Sequence, residues 1–329
     1  MLNQAFASIF NTMSYGKHHN LYVFNKEGGF EKHHFSVENL SDNYWLNLCH
    51  PGKPARQALK PLLPKVIYQA LFAKEDRPRN IITPEGIFLS LRGVNMTPGE
   101  APDDMVFLRL WLTDKGLITV EHAPVQAVRD MHNILHVEPN AQYDAEGCFV
   151  TLIEQLLSHI EEENYELDGR LDDIEEIMGK HDIDTAREKL VEIRQRIINF
   201  RRYLLPQREA LYKLAYEKPE LIDGKYNGAL KDANQEMLRH LETIDAGRDR
   251  ATVLQDNLTN MFSERLNEKI YVLSIVALIF MPTMLITSLL GINVHIPGSD
   301  HKSAFWFVCI LLATIVTSLY LFLKRKRWI

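Results

Sequence analysis

The sequence predicts an α/β domain, then a long α-helical stalk or funnel, then two C-terminal transmembrane helices. Three observations carry this reading. Short apolar runs alternate with turn residues up to about Glu121, apolar residues then recur at steps of three and four, and two long uncharged runs close the chain. With 329 residues and 46% apolar content, two or three domains can be filled.

Strands are expected at LYVF from Leu21, YWLNL from Tyr44, IFLSL from Ile87, MVFLRLWL from Met105 and LITVEH from Leu117. In the fourth, Val106, Leu108, Leu110 and Leu112 alternate with Phe107, Arg109 and Trp111. Helices are expected over 62–73 and 124–135, the second with Pro124 in its first turn. The stretch EPNAQYDAEG reads as a linker and closes an α/β domain over residues 1–147. A helical region follows over 148–269. Its first helix runs from Phe149 to Met178 with Gly179 as the C-cap, and Thr185 with Glu188 then has capping-box spacing for a helix that reaches about Glu217. A third pattern begins near Leu230, with Met237, Leu241, Ile244, Ala251, Leu254, Leu258 and Met261 on one stripe, and enters Ile270 without a Pro or Gly cluster. Drawn from Leu230 to Leu290 it is about 90 Å long at about 1.5 Å per residue. Such a helix needs partners along its stripe, so the stripe is expected to meet copies of itself.

Residues 270–329 form the membrane part. Ile270 to Leu290 is 21 residues without a formal charge and Ala304 to Leu323 is 20, each enough for a hydrocarbon layer of about 30 Å. Lys324, Arg325, Lys326 and Arg327 follow the second span, whereas the connecting loop holds one Lys. That bias places the tail, and with a hairpin the bulky N-terminal region, in the cytoplasm.

Other classes are disfavoured. A net charge of −6, with no basic block interleaved with aromatics, argues against nucleic acid as a partner. The three cysteines form no CxxC pair, the start of the chain does not read as a secretory signal, and no phosphate loop, HExxH or GxSxG is present, so no enzyme is expected. His18-His19 and His33-His34 read as surface polar residues, because neighbours on a strand face opposite ways. Between Glu154 and Asp184 twelve acidic residues stand against Arg170 and Lys180. They form either a solvated helix face or acidic hairpins that concentrate cations around a cytoplasmic vestibule.

Within the first span, Leu273, Ser274, Ala277, Met281, Met284, Ser288 and Gly291 share a face that is smaller and more polar than the opposite one. This suits tight helix packing or the lining of a narrow water path. Pro282 removes a backbone donor and frees the Leu278 carbonyl, so a kink is expected, with Thr283 and Thr287 re-satisfying nearby backbone. Gly291 permits a left-handed cap, and Asn293 offers an amide oxygen. Several copies around an axis would make a ring of neutral oxygen dipoles.

Met281-Pro282, the Gly291-Ile292-Asn293 triplet at the mouth of the first of two C-terminal spans, and the basic tail ending near Trp328 resemble the CorA family of divalent-cation transporters. That family's hallmark is Gly-Met-Asn. Isoleucine at position 292 resembles the ZntB-like zinc-transporter branch, and RRYLLPQREALYKL from Arg201 to Leu214 is similar to a cytoplasmic helix segment of that branch. The resemblance implies a CorA-like homopentamer in the inner membrane, with its own copies, the lipid bilayer and divalent cations as partners and no structurally bound cofactor. It implies a selectivity ring at Gly291, Ile292 and Asn293, with Ser288, Met284, Met281 and Leu273 facing the axis below, and a basic collar at Lys324 to Arg327. Zinc accepts imidazole as well as carboxylate, and the outer loop carries His295, Asp300 and His301, either as transient zinc ligands or as plain polar residues. Zinc uptake is the expectation. A magnesium, cobalt or nickel channel of the CorA type is the alternative, and a membrane-tethered scaffold that conducts nothing is the alternative of a different class.

Overall fold

The structure, a computed structural model, describes residues 19–25, 29–36, 40, 42–74, 77–95, 97, 99–139, 142–291 and 304–326. The chain divides into two compact units, Met1–Gln255 and Asp256–Ile329.

The first unit carries, among the described residues, a seven-stranded sheet. Its strands are β1 (His19–Phe24), β2 (Phe30–His34), β3 (Tyr44–Cys49), β4 (Arg79–Thr83), β5 (Gly86–Gly93), β6 (Val106–Leu112) and β7 (Gly116–Glu121), in the order β2-β1-β3-β7-β6-β5-β4. Only β3 with β7 is parallel; the other pairings are antiparallel. The five expected strands are all present. The two additional ones, β2 and β4, are the edges, and their sequences FEKHH and RNIIT carry no regular apolar alternation.

Helices α1 (Lys53–Leu59) and α2 (Lys65–Leu71) cover one face, with Leu59, Ile67 and Leu71 packed among Leu46, Leu48, Phe88 and Trp111. Helix α3 is Gln126–Val137. Its N-cap is Val125, so Pro124 precedes the helix rather than opening its first turn. Across the parallel strand pair, the Trp45 indole donates to Thr119 Oγ1 (3.0 Å), Thr119 donates to Asn47 Oδ1 (2.8 Å), and Asn47 donates to Glu121 Oε1 (3.1 Å). The Val125 N–H donates to the other Glu121 oxygen at 2.7 Å, which ties α3 to the end of β7. Every one of these polar atoms has a partner, as burial requires.

A helical bundle follows. Helix α4 is Ala145–Gly179, and its N-cap Asp144 accepts from the Gly147 N–H at 2.7 Å, so the last residues of the expected linker are already helix. Gly179 is the final helical residue and not the left-handed cap. That conformation falls to His181 (φ 60°), whose N–H donates to Met178 O while the Asp182 N–H donates to Ile177 O. The pattern satisfies two of the carbonyls a helix end leaves open. Asp182 then caps α5 (Ile183–Tyr212) by accepting from the Thr185 N–H, so Thr185 lies inside the helix and the expected Thr185–Glu188 box is not formed. Helix α5 runs through Pro206 and passes into a π-helical turn over Lys213–Glu217.

Helix α6 is Gly224–Leu290 and contributes to both units. From Leu230 to Leu254 its stripe is buried within the single chain: Met237 and Ala251 are 0% exposed. The expectation that this part of the stripe meets copies of itself is therefore overturned. The chain's own α4 and α5 occupy it, as Gly247 beside Leu171 and Ile197, and Asn164 beside His240, show.

Charge fixes this arrangement. The buried Arg196 guanidinium on α5 lies 3.2 Å from Glu163 on α4 and 3.7 Å from Asp103, which also accepts from Asn199. Arg250 on α6 pairs with Asp168, Asp172 and Glu175, and Arg170 pairs with Glu166 and Glu192. Glu163, Asp168, Asp172 and Glu175 of the acidic stretch thus brace α4 against α5 and α6.

Two outcomes follow for thermal unfolding of the full chain in detergent. Gly247→Ala places its Cβ at ordinary contact distance, 3.7 Å from Leu171 and Ile197. It should stabilise the protein by roughly 0.5–1 kcal/mol through helix propensity. Arg196→Ala should destabilise it by about 3–5 kcal/mol, because buried carboxylates lose their counter-charge.

Candidate cation path

In the second unit, α6 continues through its uncharged run to Leu290, and α7 spans Ala304–Arg325. The most apolar windows of these helices are 0% and 6% buried. A buried hairpin in a soluble core would have the opposite exposure, so a lipid or protein environment outside the single chain must cover them.

Along the expected face Leu273 is 69%, Met281 70% and Met284 72% exposed, and Ser288 is exposed as well. Their spacing of eight, three and four residues places them on one side of one helix. Helical geometry persists through Pro282. The hydroxyls nearby bond back into the helix: Ser274 donates to Ile270 O at 2.8 Å, Thr283 to Phe280 O at 2.8 Å and Ile279 O at 3.4 Å, and Thr287 to Thr283 O and Met284 O, both at 3.0 Å. They enrich the hydrogen bonding around the proline without reaching the Leu278 carbonyl that it frees. With its proton committed, each hydroxyl presents only oxygen lone pairs outward, the polarity a cation or its bound water accepts.

Gly291 does not use the left-handed conformation that a glycine permits. Its N–H donates to Thr287 O (2.9 Å) and Ser288 O (3.2 Å), extending the last turn. The expected site residues Ile292, Asn293, His295, Asp300, His301 and Arg327 lie outside the described residues. Lys324 and Arg325 occupy the last turn of α7, where positive charge suits the helix C-terminus, and the Lys326 N–H bonds to Phe322 O.

The model of the CorA-like Mg2+ transporter protein family matches residues 41–325. The chain belongs to this family. Among curated relatives, the zinc transport protein ZntB of Pectobacterium carotovorum is 30% identical over 296 residues, 89% of this chain and 90% of the relative. That of Yersinia enterocolitica is 28% identical over 297 residues, with the same coverage. Among solved structures, full-length CmaX matches with a TM-score of 0.77 and 28% identity over 95% of this chain and 99% of that one. The CorA magnesium transporter of Methanocaldococcus jannaschii matches with a TM-score of 0.81 at 16% identity, over 95% and 99%, which shows a shared fold. The CorA fold thus accounts for the whole order of elements: α/β domain, long helix and two C-terminal apolar helices. Membership places the chain in a family of divalent-cation transporters.

Sequence reasoning recognised RRYLLPQREALYKL without giving it a physical role. The structure supplies one: the buried Gln207 accepts the Arg92 N–H of β5 at 2.8 Å, Asn80 of β4 donates to Ala210 O at 3.0 Å, and the Arg92 guanidinium lies between the rings of Phe107 and Tyr203, 3.7 and 4.0 Å from their centroids. The segment pins α5 to the sheet.

At the end of α6, a Cβ on Gly291 would meet Thr287 O at 3.3 Å and Ser288 O at 3.6 Å, contacts a slight shift relieves. Gly291→Ala should therefore accumulate in membranes and unfold at the wild-type temperature; a lowered unfolding midpoint would show that the glycine is required for folding.

Proposed function

We propose that this CorA-family chain takes up zinc through a water-filled axis enclosed by a ring of copies, five by analogy with the family. In this reading residues 1–147 form the cytoplasmic α/β domain, 148–269 the stalk and 270–329 the pore domain of a multi-pass inner-membrane protein, with both termini cytoplasmic. The observation that carries it is the row Leu273, Met281, Met284 and Ser288, which shares one face of an uncharged helix whose Ser274, Thr283 and Thr287 hydroxyls bond to their own backbone. Asn293 and Gly291 form the outer ring, and Met281 and Leu273 narrow the path below. Neutral amide oxygens accept hydrogen bonds from the water shell of a divalent ion without the deep trap that carboxylates would create, so the ion passes largely hydrated. His295, Asp300 and His301 gather zinc transiently at the entrance, and Lys324 to Arg327 anchor the cytoplasmic end. The zinc assignment is supported by the ZntB relatives at 28–30% identity. The cation is cargo, and no resident cofactor enters the reading.

A second reading, magnesium conduction, is favoured by the family description and by the fold shared with the Methanocaldococcus jannaschii transporter.

Zinc flux into proteoliposomes tests both. Asn293→Ala should abolish uptake while the assembly stays intact, and undiminished flux would remove the selectivity-ring assignment. Magnesium at equal concentration should compete poorly with zinc, and strong competition would transfer the protein to the second reading.

A further inference from the structure

The buried α6 stripe leaves open which surface of the cytoplasmic unit joins one copy to the next. Helix α5 carries a face that the described residues leave largely open, although Tyr212 at its end stacks on Tyr216. Val191 is 64%, Ile198 51%, Leu205 39% and Tyr212 44% exposed, and these four recur every seven residues. Beside them, at the same interval, stand Arg187, Arg194, Arg201 and Arg208. Arg201 pairs with Asp245 of α6 at 2.6 Å. Arg187, Arg194 and Arg208 form no ion pair among the described residues, and the buried Arg208 Nε has no hydrogen-bond partner there. A seven-residue repeat keeps one side of a helix in register with a second helix, and its charged flank sets the choice of partner.

The opposite charge lies on the other flank of α6. Arg250 of α6 reaches Asp168 and Asp172 of α4, while Asp245 of α6 reaches Arg201 of α5, so α4 and α5 border α6 on its two sides. The α4 border carries Glu154 and Glu161, exposed and without an ion pair among the described residues, and Tyr165, 73% exposed. Like charges crowd there: partial burial, then Asp232, push the Glu154 carboxyl up, and partial burial, then Glu161, push that of Glu236 up, with Arg239 and His240 the cationic or titratable neighbours on α6. The antiparallel hairpin, fixed by Arg196 with Glu163 and Arg170 with Glu192, sets Glu161 near the level of Ile198 and Glu154 near that of Leu205. A cyclic ring of more than two copies needs two different, mutually complementary patches on each copy. These two borders are of opposite sign and stand at matching levels.

We propose that the arginine and apolar ladder of α5 docks on the acidic α4 border, Glu154, Glu161 and Tyr165, of the neighbouring copy, and that this heterologous contact closes the cytoplasmic ring. The inference rests on the ring of copies proposed above and assigns its contact.

The test co-expresses two differently tagged full-length chains, one Ile198→Cys and one Glu161→Cys, and oxidises them in detergent. A mixed disulfide dimer, missing when either variant is paired with the wild type and its native cysteines, is expected. A multi-copy particle that gives no mixed dimer overturns the assignment, and so does a monomeric particle. Should a cysteine variant fail to accumulate, Arg194→Glu with Arg208→Glu is the second arm, read by light scattering at low salt. Loss of the full assembly, restored by adding Glu154→Arg and Glu161→Arg to the same chain, is expected; no loss, or loss without restoration, overturns the proposal. Zinc flux on the same preparations separates the two readings, since flux without the mixed dimer defeats only this contact and the mixed dimer without flux defeats only the transport assignment.

Discussion

The architecture of the cytoplasmic unit depends on one buried guanidinium. Arg196 is 5% exposed and cannot surrender its charge, so its carboxylate partners must come to it. Glu163 comes from α4 and Asp103 from the connection between β5 and β6, and meeting both sets the register of the helical hairpin and its position on the sheet. The groove along that hairpin then has the length and apolarity to accept the first part of α6. Gln207 and Asn80 secure the far end of α5 to the two strands at that edge, so the groove is held at both ends.

Within that groove the charges are graded by exposure. Arg196 is enclosed and its pairing is obligatory, whereas Arg250 is partly open to water and its three carboxylates are more exposed still. Pairs of the second kind are screened by salt and contribute little each, about 0–1 kcal/mol, but they absorb the charge of an acidic helix that would otherwise repel itself. Glu163, Asp168, Asp172 and Glu175 are paired, whereas Glu154 and Glu161 of the same stretch have no ion pair among the described residues.

The membrane segment obeys a different constraint. In hydrocarbon a backbone carbonyl freed by proline has no water to turn to, and the hydroxyls around Pro282 enrich the backbone hydrogen bonding on either side of it. The same bonds leave the exposed face of α6 with thioether, alkyl and hydroxyl-oxygen groups and no charge. In the transport reading proposed above, a face of this kind would attract a divalent ion weakly and hold it briefly, as conduction of a hydrated ion requires.

Sequence alone determined the order of elements, the five inner strands, the two uncharged spans and the family, because each is written in local periodicity or in contiguous residues. Helix ends were less legible: Gly179 looked like a cap, yet the left-handed residue is His181, since the turn is chosen by where Asp182 must stand to cap α5. The edge strands β2 and β4 were silent because their sequences, FEKHH and RNIIT, do not alternate apolar with polar residues. Only the tertiary structure decided what the long apolar stripe of α6 faces. A periodic pattern states that a face must be buried and is silent on what buries it; here α4 and α5, brought together by the long-range pairing of Arg196 with Glu163 and Asp103, reached the stripe first.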